Sequence, residues 1–325
     1  MSKRILLLDL DTPCFAAASV AEERTVLVTH VPTGKQKVFK NRTEFKDRLK
    51  EKEAFNKLSE YLFEDKQEAE PVSHACVILK NIVSKIEEAV ESDETWFFIS
   101  GKDNFRDSLP LPTKYKSSRA GTIRPLLLTD VKQFAINKYK AEICHFDEPD
   151  DRIIYRAYEL KAKGFTPIIA TIDKDALAYS GLLIYNQDKP EQGIVEIPQL
   201  GSLWMDDKKT LRGNGFLWYC AQVTKGDITD SFKPSELAKV KFGDASAYKL
   251  LKDCKTEQEA LLKVVQQYKE WYPEPFEYTA WDGRAFHDTT WLDVYQMYHR
   301  CCRMKAHEFD GLYVVEFAKQ YGVQL

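Results

Sequence analysis

Phe146-Asp147-Glu148-Pro149-Asp150-Asp151 runs directly into Arg152-Ile153-Ile154-Tyr155-Arg156-Ala157-Tyr158-Glu159-Leu160, and the reading of this stretch decides the fold. Ile153, Ile154, Ala157 and Leu160 recur at helical spacing, which predicts a helix beginning at Pro149 or Asp150. Glu148, Asp150 and Asp151 then crowd its first turn, where like charges repel. A helix N-terminus offsets only about 0.3–1 kcal/mol per charge. A cation would offset far more. Downstream, Ile168-Ile169-Ala170-Thr171-Ile172-Asp173-Lys174-Asp175 reads as an apolar strand running into two more carboxylates. The chain opens on the same pattern, Ile5-Leu6-Leu7-Leu8-Asp9-Leu10-Asp11. Buried strands ending in D-x-D are the strongest chemical signal in the sequence.

Working outward, Trp96-Phe97-Phe98-Ile99 and Leu182-Leu183-Ile184-Tyr185 read as further buried strands. Helical stretches separate them: Thr12 to Glu22, Val72 to Val90 with one apolar face, and Thr129 to Tyr139. Short continuous apolar strands alternating with helices imply an α/β fold with a mostly parallel central sheet flanked by helices. Ligands of such sheets collect beyond the carboxyl ends of the strands, where the D-x-D pairs fall. Thr25–Thr29 and Lys37–Phe39 flank Pro32-Thr33-Gly34 and predict a hairpin. Charged helical segments are expected from Arg42 to Glu64, and a basic loop from Lys102 to Arg124. Beyond Phe216 the texture becomes helical. One helix ends at Lys225-Gly226-Asp227-Ile228-Thr229-Asp230 and another begins at Phe242-Gly243-Asp244-Ala245-Ser246-Ala247. Amphipathic stretches then cover 257–271 and 289–305.

The 325 residues, 44% hydrophobic and 30% charged, describe a soluble globular protein with room for a full core. No apolar run approaches the roughly 18 residues of a membrane span. Asp9 and Asp11 interrupt the apolar stretch near the N-terminus, so neither a signal peptide nor a membrane partner is expected. Seven cysteines without a C-x-x-C pair point to a reducing, cytoplasmic setting and away from zinc or a disulfide framework. The net charge of −3 gives no hint of a nucleic-acid partner by itself.

Asp9, Glu148, Asp150, Asp151, Asp173, Asp175, Asp227 and Asp230 come from four places in the chain. Meeting at one sheet edge, they would need divalent cations, and all-oxygen donors favour Mg²⁺ or Mn²⁺. Two such ions about 4 Å apart suit in-line attack on a phosphodiester. Taken singly, each cluster reads equally as a solvated loop or a helix cap. The loop Lys114-Tyr115-Lys116-Ser117-Ser118-Arg119-Ala120-Gly121-Thr122-Ile123-Arg124 carries four positive charges and no acid. It reads as a phosphate clamp, with Lys116 or Arg119 stabilising charge on the phosphate and Tyr115 stacking on an unpaired base. A solvated basic loop is the alternative. Gly243 opens either a phosphate-binding turn or an ordinary helix start. No Ser/His/Asp or Cys/His arrangement is legible, and no G-x-x-x-x-G-K-[ST] loop is present.

The order of these motifs resembles the phage 5′→3′ exonuclease and flap endonuclease family, related to the 5′-nuclease domain of bacterial DNA polymerase I. The resemblance is carried by Leu8-Asp9-Leu10-Asp11, Asn104-Phe105-Arg106, Tyr115-Lys116-Ser117-Ser118-Arg119, Glu148-Pro149-Asp150-Asp151, Asp173-Lys174-Asp175, Lys225–Asp230 and Phe242–Ala247. It implies a PIN-like core and metal-dependent hydrolysis of DNA. Two Mg²⁺ ions are expected, Mn²⁺ being able to substitute. By position, Asp9, Glu148, Asp150 and Asp151 match the ligands of the first ion, and Asp173, Asp175, Asp227 and Asp230 those of the second. Lys116 and Arg119 match the catalytic basic residues of an arch. Arg106, Tyr115, Lys116, Arg119, Gly243 and Ser246 are the DNA contacts it implies, and phage replication proteins are further expected partners.

The pattern is broken in two places. Ser100-Gly101 stands where the family has a strand-end aspartate, and Asp103 is the nearest replacement, expected to reach the first ion through a water. The helix–hairpin–helix glycines are reduced to Gly243. The expected layout is a nuclease core over 1–230 with the basic arch at 102–125, a helix–hairpin–helix-like region over 231–270, and a helical tail over 271–325. A non-catalytic DNA-binding subunit and an RNA-cleaving nuclease of the same fold are the rival readings.

Overall fold

Ile5, Leu6, Leu7 and Leu8 carry no polar side chain, and all four are buried. A strand apolar on both faces needs cover on both, which places it inside a sheet. The computed structural model describes residues 2–325. Among these, the chain order begins β1 (Arg4–Asp9), α1 (Asp11–Val20), β2 (Glu22–His30), β3 (Lys35–Phe39), α2 (Arg42–Glu51), β4 (Tyr61–Ala69), α3 (Val72–Val90). It continues β5 (Glu94–Asn104), α4 (Leu128–Tyr139), β6 (Glu142–Phe146), α5 (Pro149–Ala162), β7 (Thr166–Ala170), β8 (Leu183–Tyr185), β9 (Ile194–Glu196). Then follow β10 (Ser202–Met205), β11 (Leu211–Asn214), α6 (Gly215–Lys225), α7 (Asp244–Leu251) and α8 (Glu257–Trp271). The last elements are β12 (Phe276–Thr279), β13 (Ala285–Thr289), α9 (Trp291–Cys302) and α10 (Val314–Gln320).

The chain divides into two units. The first holds the residues up to Asp9 with Ile86–Thr122 and Ala141–Leu325; the second holds Leu10–Lys85 and Ile123–Lys140. The first unit is built on a six-stranded sheet of order β6-β5-β1-β7-β8-β9. Pairing is parallel from β6 through β8, and β9 closes the edge antiparallel to β8. The mostly parallel α/β fold is as expected. The chain steps from β1 out to β5 and β6, then crosses back to β7 and β8. The strand order therefore reverses beside β1, where sheets of this kind bind ligands. Ile153, Ile154, Ala157 and Leu160 of α5 pack with Ile5, Leu7, Phe98 and Ile169 of the strands. Each buried isoleucine, leucine or phenylalanine among them contributes about 1.5–3 kcal/mol.

A second core of the same unit surrounds α6, in which every residue from Gly215 to Thr224 is buried. A helix apolar on all sides must be enclosed. Leu261, Val264 and Tyr268 of α8, Tyr295 and Tyr298 of α9, and Phe317 of α10 share that core. Residues 271–325 are therefore central packing, not an appended tail. Nor are they all helical: β12 and β13 form an antiparallel hairpin there. The alternation Phe276, Tyr278 and Phe286 was its signal, since Phe276 stacks towards Tyr272 and Tyr278 stacks on Phe286.

The second unit contains the sheet β3-β2-β4, with Val26, Val28 and Phe39 packed on Phe45 and Leu49 of α2. The hairpin expected around Pro32 is β2–β3. The helical reading of 42–64 holds only to Glu51, because Tyr61 to Ala69 pair with β2 along its whole length. Half-buried Tyr61, Phe63 and Gln67 alternate there with exposed Leu62, Glu64 and Lys66, a period of two obscured by charge. Two short edge strands, β6 and β9, also went unread. Ile143 and Phe146 of β6 are exposed while Cys144 is buried, so apolar residues do not mark its inner face.

Gly101 lies where β5 is irregular against β6, between Ser100 and Asn104. A Cβ there would press into the backbone carbonyl of Cys144. Gly101→Ala is expected to lower the unfolding free energy by about 1–3 kcal/mol. Gly243→Ala, at an extended residue with open space around it, should change stability by less than about 0.5 kcal/mol. Urea unfolding of the two variants checks both.

Candidate active site

The carboxyl ends of β1, β5, β6 and β7 lie along one edge of the first unit's sheet. Asp9 is the last residue of β1, in register with Phe98 of β5. Leu8 is level with Ala170, so Thr171-Ile172-Asp173 extends from the same edge. Phe146 ends β6, and Glu148 then caps α5 with Pro149 as its first helical residue. Asp175 sits in the short 3-10 turn after Asp173, whose carboxylate accepts the Asp175 N–H at 2.9 Å. Trp218 of α6 donates to the Lys174 carbonyl at 2.9 Å and fixes this turn. Asp227 and Asp230 follow the end of α6. Gly226, at φ +79°, makes the turn there, because a side chain would strike the Phe232 carbonyl. Thus α5, α6 and the strand ends together deliver the acids singled out in the sequence.

Their charges act on one another as one group. Burial, then Asp173, Asp9, Glu148 and Asp151, push the Asp150 carboxyl well above the usual carboxylate range. Burial and Asp173, with Asp227 and Asp230, hold Asp175 up to about 8 against the relief given by Lys174. Burial lifts Asp230 too. Burial also opposes ionisation of Glu148 and Asp227, but cations win: Arg106, Lys116 and Arg119 lower the first, and Lys174 lowers the second. Among the described residues, no three acid, histidine or cysteine side chains stand close enough to hold an ion as they are. Cations of the chain itself pair with Glu148, Asp227 and Asp230.

Those cations come largely from the basic segment. The Lys116 ammonium pairs with Glu148. Arg119 pairs with Asp230 at 3.0 Å. The backbone of Lys116 donates to the Asp230 carbonyl at 2.8 Å, and Ser118 bonds to Thr229 and Ser231. Residues 115–119 therefore lie along 229–231 as a tied strap with a short 3-10 turn at Ser117–Arg119, rather than as a free arch.

Four residues stand in roles other than those expected. Arg106 is 2% exposed and cannot reach DNA. Its guanidinium grips both oxygens of Asp151, at 2.5 and 3.0 Å, and donates to the carbonyls of Cys301 and Arg303. Asp151, itself wholly buried, also accepts the N–H groups of Glu148 and Lys305. Its oxygens are spent on the fold, so it is replaced as a candidate ligand. Tyr115 is buried, with its hydroxyl on Asp230 at 3.0 Å, and offers no face to a base. Asp103 is exposed, and it is Asn104 whose amide reaches Glu148, at 2.9 Å. Gly243 and Ser246 flank the start of α7, where Asp244 pairs with Lys225 and accepts the Leu211 N–H.

Two site residues were missed. Asn104 was noted only within a motif, and Gln222 not at all. The Gln222 amide N–H donates to Asp175, while its buried carbonyl oxygen has no partner. A glutamine among the apolar residues of α6 was the available signal.

Asp175 has an ordinary value of 3.8 and is raised to about 8 in the fold. Between these values the folded protein holds a proton that the unfolded chain has lost, so stability falls as pH rises. Asp150 acts in the same direction. Glu148 and Asp227 act oppositely, but only at pH values near and below their ordinary 4.5 and 3.8. In chelator, Tm is expected to fall between pH 5 and pH 8, and Asp175→Asn should flatten the fall. Thermal melts across that range check it.

No protein-family model matches the sequence, and no curated protein matches it. Among solved structures, the chain is similar to a bacteriophage T5 5′-exonuclease with divalent metal ions (zinc) bound, at 13% identity and a TM-score of 0.46, over 82% of this chain and 79% of that one. It is similar to the T5 D15 flap endonuclease in a pseudo-enzyme-product complex with DNA and metal ions, at 10% identity and a TM-score of 0.44, over 98% of both chains. It is also similar to the T5 D15 protein co-crystallised with metal ions, at 10% identity and a TM-score of 0.43, over 82% and 79%. These three solved structures are of phage T5 proteins, named as a 5′-exonuclease, a flap endonuclease and the D15 protein, at 10–13% identity to this chain.

Proposed function

We propose that this chain is a metal-dependent DNA nuclease, a 5′→3′ exonuclease that also cuts 5′ flaps. The observation that carries the reading is Asp150, whose strongest neighbours are the acids Asp173, Asp9, Glu148 and Asp151 at the carboxyl edge of a parallel sheet. Such crowding is costly without a cation, and the donors are all oxygens, which suits Mg²⁺ or Mn²⁺. Asp9, Asp150 and Asp173 would hold the ion, with Glu148 beside them paired to Lys116. When bound, it would neutralise charge on a phosphodiester and lower the pKa of a water.

The chain's own residues supply the rest. Lys116 holds its ammonium on Glu148 and has the reach to exchange that carboxylate for a phosphate oxygen. Arg119 stands on Asp230 in the same strap and would orient the strand through its phosphates. Asn104 and Arg106 keep Glu148 and Asp151 in place while the substrate changes. Duplex ends and single-stranded 5′ arms are the proposed partners, and phage replication proteins would share them.

Labelled duplex, 5′-flap DNA and RNA, each with Mg²⁺ or with chelator, test the reading. Release of products from the 5′ end and cutting of flaps, only with the ion, are expected. Binding of DNA without cleavage would make the chain a non-catalytic subunit, and preference for RNA would make it a ribonuclease.

Asp150→Ala and Asp173→Ala should abolish cleavage and leave Tm in chelator equal or higher, since each removes a repelling charge. Near-normal turnover by either at saturating Mg²⁺ sinks the assignment. Lys116→Ala should cost about 100-fold or more in turnover with little loss of duplex affinity, as expected for a donor acting on transition-state charge. Single-turnover rates and a binding isotherm separate the two.

A further inference from the structure

Every carboxylate expected around a second ion, Asp173 apart, already meets a side-chain donor from this chain. Lys174 pairs with Asp227 at 2.5 Å, and Asp227 also accepts the Thr229 N–H at 2.7 Å. Asp230 takes Arg119 at 3.0 Å and the Tyr115 hydroxyl at 3.0 Å. Asp175 takes the Gln222 amide. The lysine is not a chance visitor. It lies between Asp173 and Asp175 in the sequence, and Trp218 anchors its carbonyl to the buried helix α6. Asp150 stands in contrast. Among the described residues no lysine or arginine pairs with it, while its neighbour Glu148 is paired by Lys116.

We infer that the Lys174 ammonium takes the part of the second cation: the chain holds one divalent ion tightly, in the Asp9, Asp150 and Asp173 set, and neutralises Asp227 itself. The inference rests on the nuclease reading of that first set. A second divalent ion would have to displace an ammonium from Asp227 and would meet the like charge of Lys174 and of Arg119. Repulsion between cations a few ångströms apart in a half-buried site is strong. Ion occupancy at Asp227 is therefore opposed, while substrate phosphate near the same place is attracted. Lys174 becomes a fixed positive charge facing the substrate that needs no loading from solution.

Mn²⁺ binding to the whole chain, counted by calorimetry and by the magnetic resonance signal of free Mn²⁺, tests this without turnover. Wild type should bind one ion per chain, with any second at least roughly 100-fold weaker. Lys174→Gln should strengthen the second ion by roughly tenfold or more. Asp227→Asn should leave the affinity of the first ion within about threefold. Two ions of comparable affinity in wild type overturn the inference, whether or not Lys174→Gln folds. A folded Lys174→Gln with an unchanged second affinity overturns it as well. Binding of no ion at all removes the metal-dependent reading and the inference with it, and that count differs from the two ions that would refute Lys174 alone.

Discussion

The buried pair Arg106–Asp151 is the interaction on which the remainder of the first unit depends. Both side chains are essentially out of water, and each is satisfied on every side by the other and by backbone groups. Removing one partner from such a pair costs about 3–5 kcal/mol, because the other is left as an uncompensated buried charge. The pair does three things at once. It fixes the first turn of α5, it brings the segment after β5 under that turn, and it binds the chain after α9 through the carbonyls of Cys301 and Arg303. Asp150, the neighbouring carboxylate on α5, is held in place by a contact that it does not itself make.

Around that anchor the charges are sorted into two kinds. Asp151, Glu148, Asp227 and Asp230 are matched by Arg106, Lys116, Lys174 and Arg119. Asp150 is matched by no such partner among the described residues, and Asp175 is met chiefly by an amide. The first kind stabilises the fold at neutral pH. The second kind stores repulsion, which is the form of strain that a bound cation would release.

Much of this was legible in the sequence. Strands that are apolar on both faces announce themselves without any partner, so β1, β5, β7 and β8 and the edge they form were readable. So was α5, since its period and its Pro149 start agree. Edge strands β6 and β9 were not, because half-exposed strands carry no continuous apolar run. The charged strand β4 was not, because charge at alternating positions resembles a solvated helix. At the site, the acids were legible as a set, but their pairings were not. Which acid meets a cation depends on contacts far apart in sequence, such as Asp151 with Arg106, and no local pattern encodes them. Arg106 and Tyr115 look like surface residues from composition, and only the packing of 271–325 around them makes them interior.

That packing has a consequence for the order of events in synthesis. Arg106 bonds to Cys301, a separation of 195 residues. At roughly 5–20 residues per second, about 10–40 s pass on the ribosome between the two. Throughout that interval the arginine lacks the carbonyls that complete its cage, and α9 has yet to close over α6. Non-local closure of this kind is slow even once the whole chain is available. The carboxylate cluster therefore takes its final form only after Cys301 and Arg303 have been added to the chain.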